Sequence, residues 1–107
     1  TGMAMKKLLT QLNPAFENRN RLGIMAILVV NDWVEYNTLK ELLGLTDGNL
    51  ASHLKALEAG EYILVRKQFV GRKPRTTYAI TENGKKSFQA HLDVLETLLK
   101  MGRDDDE

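Results

Sequence analysis

The sequence has no cysteine. A disulfide framework and a thiolate metal site are therefore excluded, while a reducing compartment remains compatible. No apolar run approaches the roughly 20 residues of a membrane span, and no secretory signal pattern opens the chain. The expectation is a cytoplasmic protein without a membrane partner. Histidine is scarce: His53 and His91 fall on different predicted helices, away from any carboxylate constellation. Gly-rich phosphate loops, metal-ligand spacings and nucleophile motifs are missing as well. A His91/Asp93 pair at an interface is the nearest approach to a metal site, and such surface pairs on a helix ordinarily bind nothing. We assign no catalytic residue, no metal and no cofactor, and expect a protein that is not an enzyme. Aromatics make up only 7% of the chain. Single-strand binders present several exposed aromatics for stacking. Here Phe69 and Tyr78 are expected to be partly buried in strands and the basic tip between them has no aromatic neighbour, which disfavours RNA or single-strand binding.

What is present fits one small domain. With 107 residues, 43% apolar and 27% charged, the chain can build a single core and little more. Its formal charge of +1 hides an asymmetry. Asp104 to Glu107 are all acidic; without these four of the 14 acids, 15 basic and 10 acidic side chains remain, a net +5. Five cations and no acid lie between Arg66 and Arg75. A cluster of that kind suits a polyanionic partner, although a solvated lysine-rich surface would have a similar composition.

In chain order, Met5, Leu8, Leu9 and Leu12 make a short amphipathic stretch that Asn13-Pro14 interrupts. Asn18 then opens a strongly apolar helix to about Asn31, with Leu22, Met25, Ala26 and Val29 as one stripe and Ile24, Ile27 and Leu28 widening it; so apolar a helix should be central. Trp33 to Tyr36 allows only a small strand. Asn37 can cap a helix over 38–43 with Leu39, Leu42 and Leu43 inward. Gly44-Leu45-Thr46 is a turn into the next helix, and two short helices joined in this way are a helix-turn-helix pattern.

That second helix, Thr46 to Gly60, has two chemically different faces. Thr46 caps it, Asp47 places negative charge at the favourable end of the helix dipole, and Gly60 is suited to end it in a left-handed conformation. Leu50, Leu54 and Leu57 form a core stripe. Asn49, Ser52, His53 and Ala56 lie opposite, on a small polar face shaped to meet something. Two strand-like runs follow, Tyr62 to Val70 and Thr76 to Thr81, joined by Gly71-Arg72-Lys73-Pro74-Arg75. A hairpin after a helix-turn-helix is a wing. Lysines often decorate hairpin tips for edge protection, but arginine predominates here, and it suits phosphate and narrow-groove contacts. Thr81 caps a last helix, with Gly84 where a capping-box Glu would sit, running to about Met101. Its stripe Phe88, Leu92, Leu95, Leu99, broadened by Ala90, Val94 and Leu98, exceeds what a small core can cover.

The segments Leu-Ala-Ser-His-Leu-Lys-Ala-Leu-Glu-Ala-Gly (50–60), Gly-Arg-Lys-Pro-Arg-Thr-Thr-Tyr (71–78) and Ile-Thr-Glu-Asn-Gly (80–84) resemble winged-helix transcriptional regulators of prokaryotes, close to the MarR and ArsR groups. The resemblance covers about residues 14 to 100. It implies a mainly α fold with a small β-hairpin, and a homodimer on double-stranded DNA with the third core helix in the major groove. By position it implies recognition-helix contacts from Asp47, Gly48, Asn49, Ser52, His53 and Lys55, and wing contacts from Arg72, Lys73 and Arg75, with Thr76 and Thr77 adding phosphate contacts. Asp47-Gly48 departs from the usual Ser or Gln, and an acid there would repel phosphates unless it caps the helix or accepts from a cytosine amino group.

The expected organisation is an N-terminal extension (1–13), a winged helix-turn-helix (14–81), a dimerisation helix (82–101) and an acidic, disordered tail (102–107). Leu8, Leu12, Leu92, Leu95 and Leu99 are the expected dimer interface; packing of the two terminal helices within one chain is the alternative. A winged helix used as a protein-interaction module is the competing functional reading. No effector is legible.

Overall fold

The structure, a computed structural model, describes residues 2–105, with side chains described for 4–101. Helix α1 (Gly2–Leu9) leads to a short 3-10 turn (Pro14–Phe16), α2 (Arg19–Val29), strand β1 (Val34–Glu35), α3 (Tyr36–Leu43), α4 (Asp47–Ala59), β2 (Ile63–Val70), β3 (Lys73–Ile80) and α5 (Glu82–Asp105). The three strands form an antiparallel sheet in the order β1-β3-β2, with Val34 opposite Tyr78 and Val65 also opposite Tyr78. This is the mainly α winged helix-turn-helix expected from the sequence.

Local chemistry explains the boundaries. The Asn13 side chain accepts from Ala15 N–H and Pro14 fills the first position of the 3-10 turn, while Asn18 caps α2 by accepting from the N–H groups of Asn20 and Arg21. Helix α2 is central, as its apolar breadth implies. Its buried face, however, is Ile24, Met25 and Leu28, and Ala26 and Val29 of the expected stripe are exposed. The strand-side and α3/α4-side neighbours set that face, and periodicity alone left its phase open. Helix α3 begins at Tyr36 without a side-chain cap, so Asn37 lies inside the helix and caps nothing. Leu39 is fully buried, whereas Leu42 is 65% exposed and does not face inward.

The end of α4 also departs from expectation. Gly60 is right-handed (φ −82°), and the left-handed residue is Glu61 at φ 62°. Tyr62 N–H donates to Leu57 O and Glu61 N–H to Glu58 O, a Schellman closure shifted one residue on. A Cβ on Gly60 would lie 2.5 Å from Tyr62 Cε2, so the glycine answers to the packing of that ring. Glu61 O in turn accepts from Thr81 Oγ1 at 2.7 Å, joining the end of α4 to the start of α5.

The core gathers Phe16, Ile24, Met25, Leu28, Leu39, Leu50, Leu54, Leu57, Ile63 and Phe88 between the helices and the sheet. Helix α5 continues to Asp105, so 102–105 of the expected disordered tail are helical; Asp106 and Glu107 lie outside the described residues. Leu8 and Gln11 line one groove with Ala90, Asp93, Val94 and Thr97 of α5. The two terminal segments therefore pack on each other within the chain.

Candidate nucleic-acid interface

On α4 the two-faced pattern holds. Leu50, Leu54 and Leu57 are buried, while Gly48, Asn49, Ser52, Lys55 and Ala56 are exposed and His53 is half-buried. Thr46 Oγ1 accepts from Asn49 N–H at 3.3 Å, leaving the Asn49 side chain on the open surface. Asp47 is occupied elsewhere. Its carboxylate receives the Tyr36 hydroxyl at 3.2 Å and lies 3.1 Å from Lys40 Nζ, and its carbonyl accepts from the same hydroxyl at 3.1 Å. Lys40 holds the Asp47 carboxyl below its ordinary pKa, by hydrogen bond and then by charge, with the Tyr36 hydrogen bond acting in the same direction. Asp47 thus braces α4 against α3, and its charge is offset by Lys40 within the chain. This accounts for an acid that was difficult to place against DNA.

The hairpin turns tightly. Val70 pairs with Lys73, so the turn is Gly71-Arg72 alone and Lys73, Pro74 and Arg75 belong to β3. Of the turn pair only Gly71 has positive φ (66°), which fits a II′ hairpin with glycine first. Arg72 and Lys73 are exposed at the tip, and Thr76 is half-buried. Arg75 forms an ion pair with Glu35 of β1. Thr77 is 4% exposed, with its hydroxyl 3.5 Å from Arg66 O. A phosphate cannot reach it, and the expected contact from Thr77 is withdrawn, because β1 pairs over it and covers it. Register decides the faces: Ile63, Val65, Lys67 and Phe69 share one side of β2. Val65 and Lys67 line a cleft with Ala51, Ser52, Leu54, Lys55 and Glu58 of α4, so that side of the wing and the outer part of α4 form a continuous surface.

A family model described as a winged helix DNA-binding domain matches residues 20–99. The chain belongs to that family. It is 36% identical over 77 residues to an uncharacterised protein of Methanocaldococcus jannaschii, covering 72% of this chain and 84% of the relative. Among solved structures, a transcriptional regulator homologue from Pyrococcus horikoshii OT3 superposes with a TM-score of 0.78 at 28% identity, over 89% of this chain and 92% of that one. A MarR-family regulator from Porphyromonas gingivalis W83 shares the fold, with a TM-score of 0.62 at 24% identity over 83% and 82% of the two chains. The protein is a winged helix-turn-helix regulator of the DNA-binding type.

In this winged helix the region 33–36 holds both arms. Trp33 lies under the Arg66 guanidinium, 4.2 Å from ring centroid to carbon; Glu35 holds Arg75; Tyr36 holds Asp47. None of these partnerships is legible from spacing, because each joins residues far apart in sequence. Lys67 and Phe69 were also overlooked as surface residues, although strict alternation along β2 could have placed them on one face. Phe69 is 76% exposed, contrary to the expectation that it is partly buried, and the basic tip does have an aromatic neighbour.

Away from the wing, His91 is buried and its Nδ1 accepts from Asn13 N–H at 3.0 Å, which requires that nitrogen to be unprotonated. Its ring meets Phe16 edge-on at 5.6 Å. Asp93 instead accepts from Gln89, so the two do not form a pair, and among the described residues no three His, Cys, Asp or Glu side chains could hold a metal ion. Burial pushes the His91 pKa below its ordinary value, with Glu17 opposing. The unfolded chain therefore takes up a proton that the folded chain refuses. Stability should be full above about pH 6.5 and fall as the pH drops from there toward the lower folded-state pKa. Urea unfolding at pH 8, 6.5 and 5.5 checks this, with His91→Gln expected to flatten the decline. An equal decline in the variant would assign it to other groups.

Of the expected dimer-interface residues, Leu95 and Leu99 are exposed (40% and 58%), Leu92 is half-buried against the core, and Leu8 and Leu12 are half-buried. Among the described residues no helix is long and apolar enough to cross a membrane.

Proposed function

We propose that this regulator binds specific double-stranded DNA sequences as a homodimer, with α4 in the major groove and the wing on the backbone and the adjacent minor groove. The observation that carries the reading is the shared surface of α4 and β2. Asn49 and Ser52 offer short hydrogen-bonding side chains on an exposed helix face, and Lys55, Lys67, Arg72 and Lys73 add positive charge without an acid between Tyr62 and Thr81. Asn49, Ser52 and His53 would meet base edges, with Gly48 allowing close approach of the helix end; the cations and Thr76 would meet phosphates. Arg75 would contribute while paired to Glu35, and Asp47 would position the helix. Leu95 and Leu99, together with Leu92, Leu8 and Leu12 along the edges of the α1/α5 pair, would be covered by a second copy of α5.

Selection from a random duplex pool, followed by binding at several salt concentrations, tests this. The wild-type protein should enrich a palindrome with half-sites about one helical turn apart. Arg72→Ala should weaken binding to all sequences and lower the salt slope by about 0.9 per wing, whereas Asn49→Ala should mainly relax base preference. If neither substitution changes duplex binding at low salt, the reading fails.

A further inference from the structure

We infer that Phe69, backed by Pro74, is an apolar wedge by which the wing enters the minor groove and unstacks a base step of the bound duplex. The inference rests on the DNA-binding reading above and assigns to the wing a contact that charge alone cannot make. Phe69 is 76% exposed on a strand, and its cross-strand partner is Pro74, itself exposed. The pair forms a blade one position back from the Val70/Lys73 pair that closes the turn. An exposed phenylalanine near a hairpin tip brings no core burial and leaves a sticky edge in solution, so its environment must be supplied from outside.

The surroundings indicate which partner. Phe69 projects from the same side of β2 as Lys67, which lines the cleft with Ser52 and Lys55 of α4. The blade therefore faces the side that α4 presents. Arg72 and Lys73 flank it at the tip, and no acidic side chain occurs from Tyr62 to Thr81. An apolar blade ringed by cations suits a polyanion with an apolar interior, which is a stacked base step between two phosphate backbones. Phenylalanine and proline are both side chains that open such steps, bending the duplex by roughly 20–90° toward the major groove. A basic, acid-free rim would repel a basic protein surface and gives an apolar protein pocket no reason to prefer this patch.

The test uses the full chain and the duplex that it selects from a random pool, end-labelled for energy transfer and carrying 2-aminopurine at successive steps beneath the wing. The wild-type protein should shorten the end-to-end distance and brighten 2-aminopurine at one step per half-site. Phe69→Ala should abolish both signals and weaken binding roughly tenfold while leaving the salt slope unchanged. Phe69→Leu, which keeps an apolar wedge, should retain most of the bend. Phe69 is exposed, so neither variant should move the urea midpoint. If Phe69→Ala bends and binds like the wild type while Arg72→Ala still lowers the salt slope, the wedge is overturned and the DNA-binding reading stands. If Phe69→Ala instead changes the oligomeric state in gel filtration with its DNA affinity intact, Phe69 covers a protein contact and the wedge is overturned. If the wild-type protein enriches no duplex and Arg72→Ala changes nothing, both readings fall.

Discussion

Gly84→Ala is expected to destabilise the fold by about 3 kcal/mol, against the ordinary preference of a helix for alanine over glycine. The third residue of α5 lies under the carbonyl of Tyr62. A Cβ there would stand 2.1 Å from Tyr62 O, 3.0 Å from Tyr62 C and 2.8 Å from Ile80 Cγ1. The carbonyl cannot swing aside cheaply, since it accepts from Thr81 N–H at 3.0 Å, and Tyr62 N–H is committed to Leu57 O at 3.0 Å. Gly84 N–H also donates to Thr81 Oγ1 at 2.8 Å, so moving α5 outward would break its cap. Urea unfolding measures the effect, with Thr81→Ala as the comparison; loss of a cap alone costs about 1 kcal/mol. A Gly84→Ala protein as stable as the wild type would show that α5 and the start of β2 do not approach this closely. The same contact explains why the capping-box position holds glycine: a Glu side chain has nowhere to begin.

Phe16→Ala is expected to cost about 3–5 kcal/mol, a large part of the roughly 5–15 kcal/mol available to a domain of this size. Phe16 is 1% exposed on the 3-10 turn and its ring centroid is 4.9 Å from Tyr62, 5.6 Å from Phe88 and 5.6 Å from His91. Those three residues come from the start of β2 and from α5, so one ring joins the N-terminal segment to both. Its removal leaves a cavity among aromatic rings too large to close by small shifts, and each ring loses an edge contact. The urea midpoint should fall steeply with little change in slope, and Phe16→Leu should recover part of the loss. A loss below about 1 kcal/mol would mean that the N-terminal segment packs only loosely on the domain.

Much of the fold was legible because it depends on short-range chemistry. Asn13-Pro14, Asn18, Thr46 and Thr81 mark element starts through caps that involve only their near neighbours. The Leu50/Leu54/Leu57 stripe and the polar face opposite follow from helical period alone. What local pattern could not set was phase and partnership. The central helix is apolar nearly all round, so nothing in its periodicity says that Ile24, Met25 and Leu28 are buried while Val29 is not. Glycine at the end of α4 suggested a left-handed turn, yet the residue with positive φ is Glu61, since the Tyr62 ring occupies the space beside Gly60.

The interface divides along the same line. Sequence by itself determined that the chain carries a winged helix-turn-helix, with a small polar helix face and a basic, acid-free hairpin, because those are properties of composition and period. Only the tertiary structure decided that Asp47 is a brace neutralised by Lys40, that Arg75 is tied to Glu35, that Thr77 is sealed beneath β1 and that Phe69 stands exposed beside the cations. The physical reason is range. Periodicity assigns a side chain to one of two faces, whereas its burial or pairing depends on residues that only strand register and helix packing bring within a few ångströms.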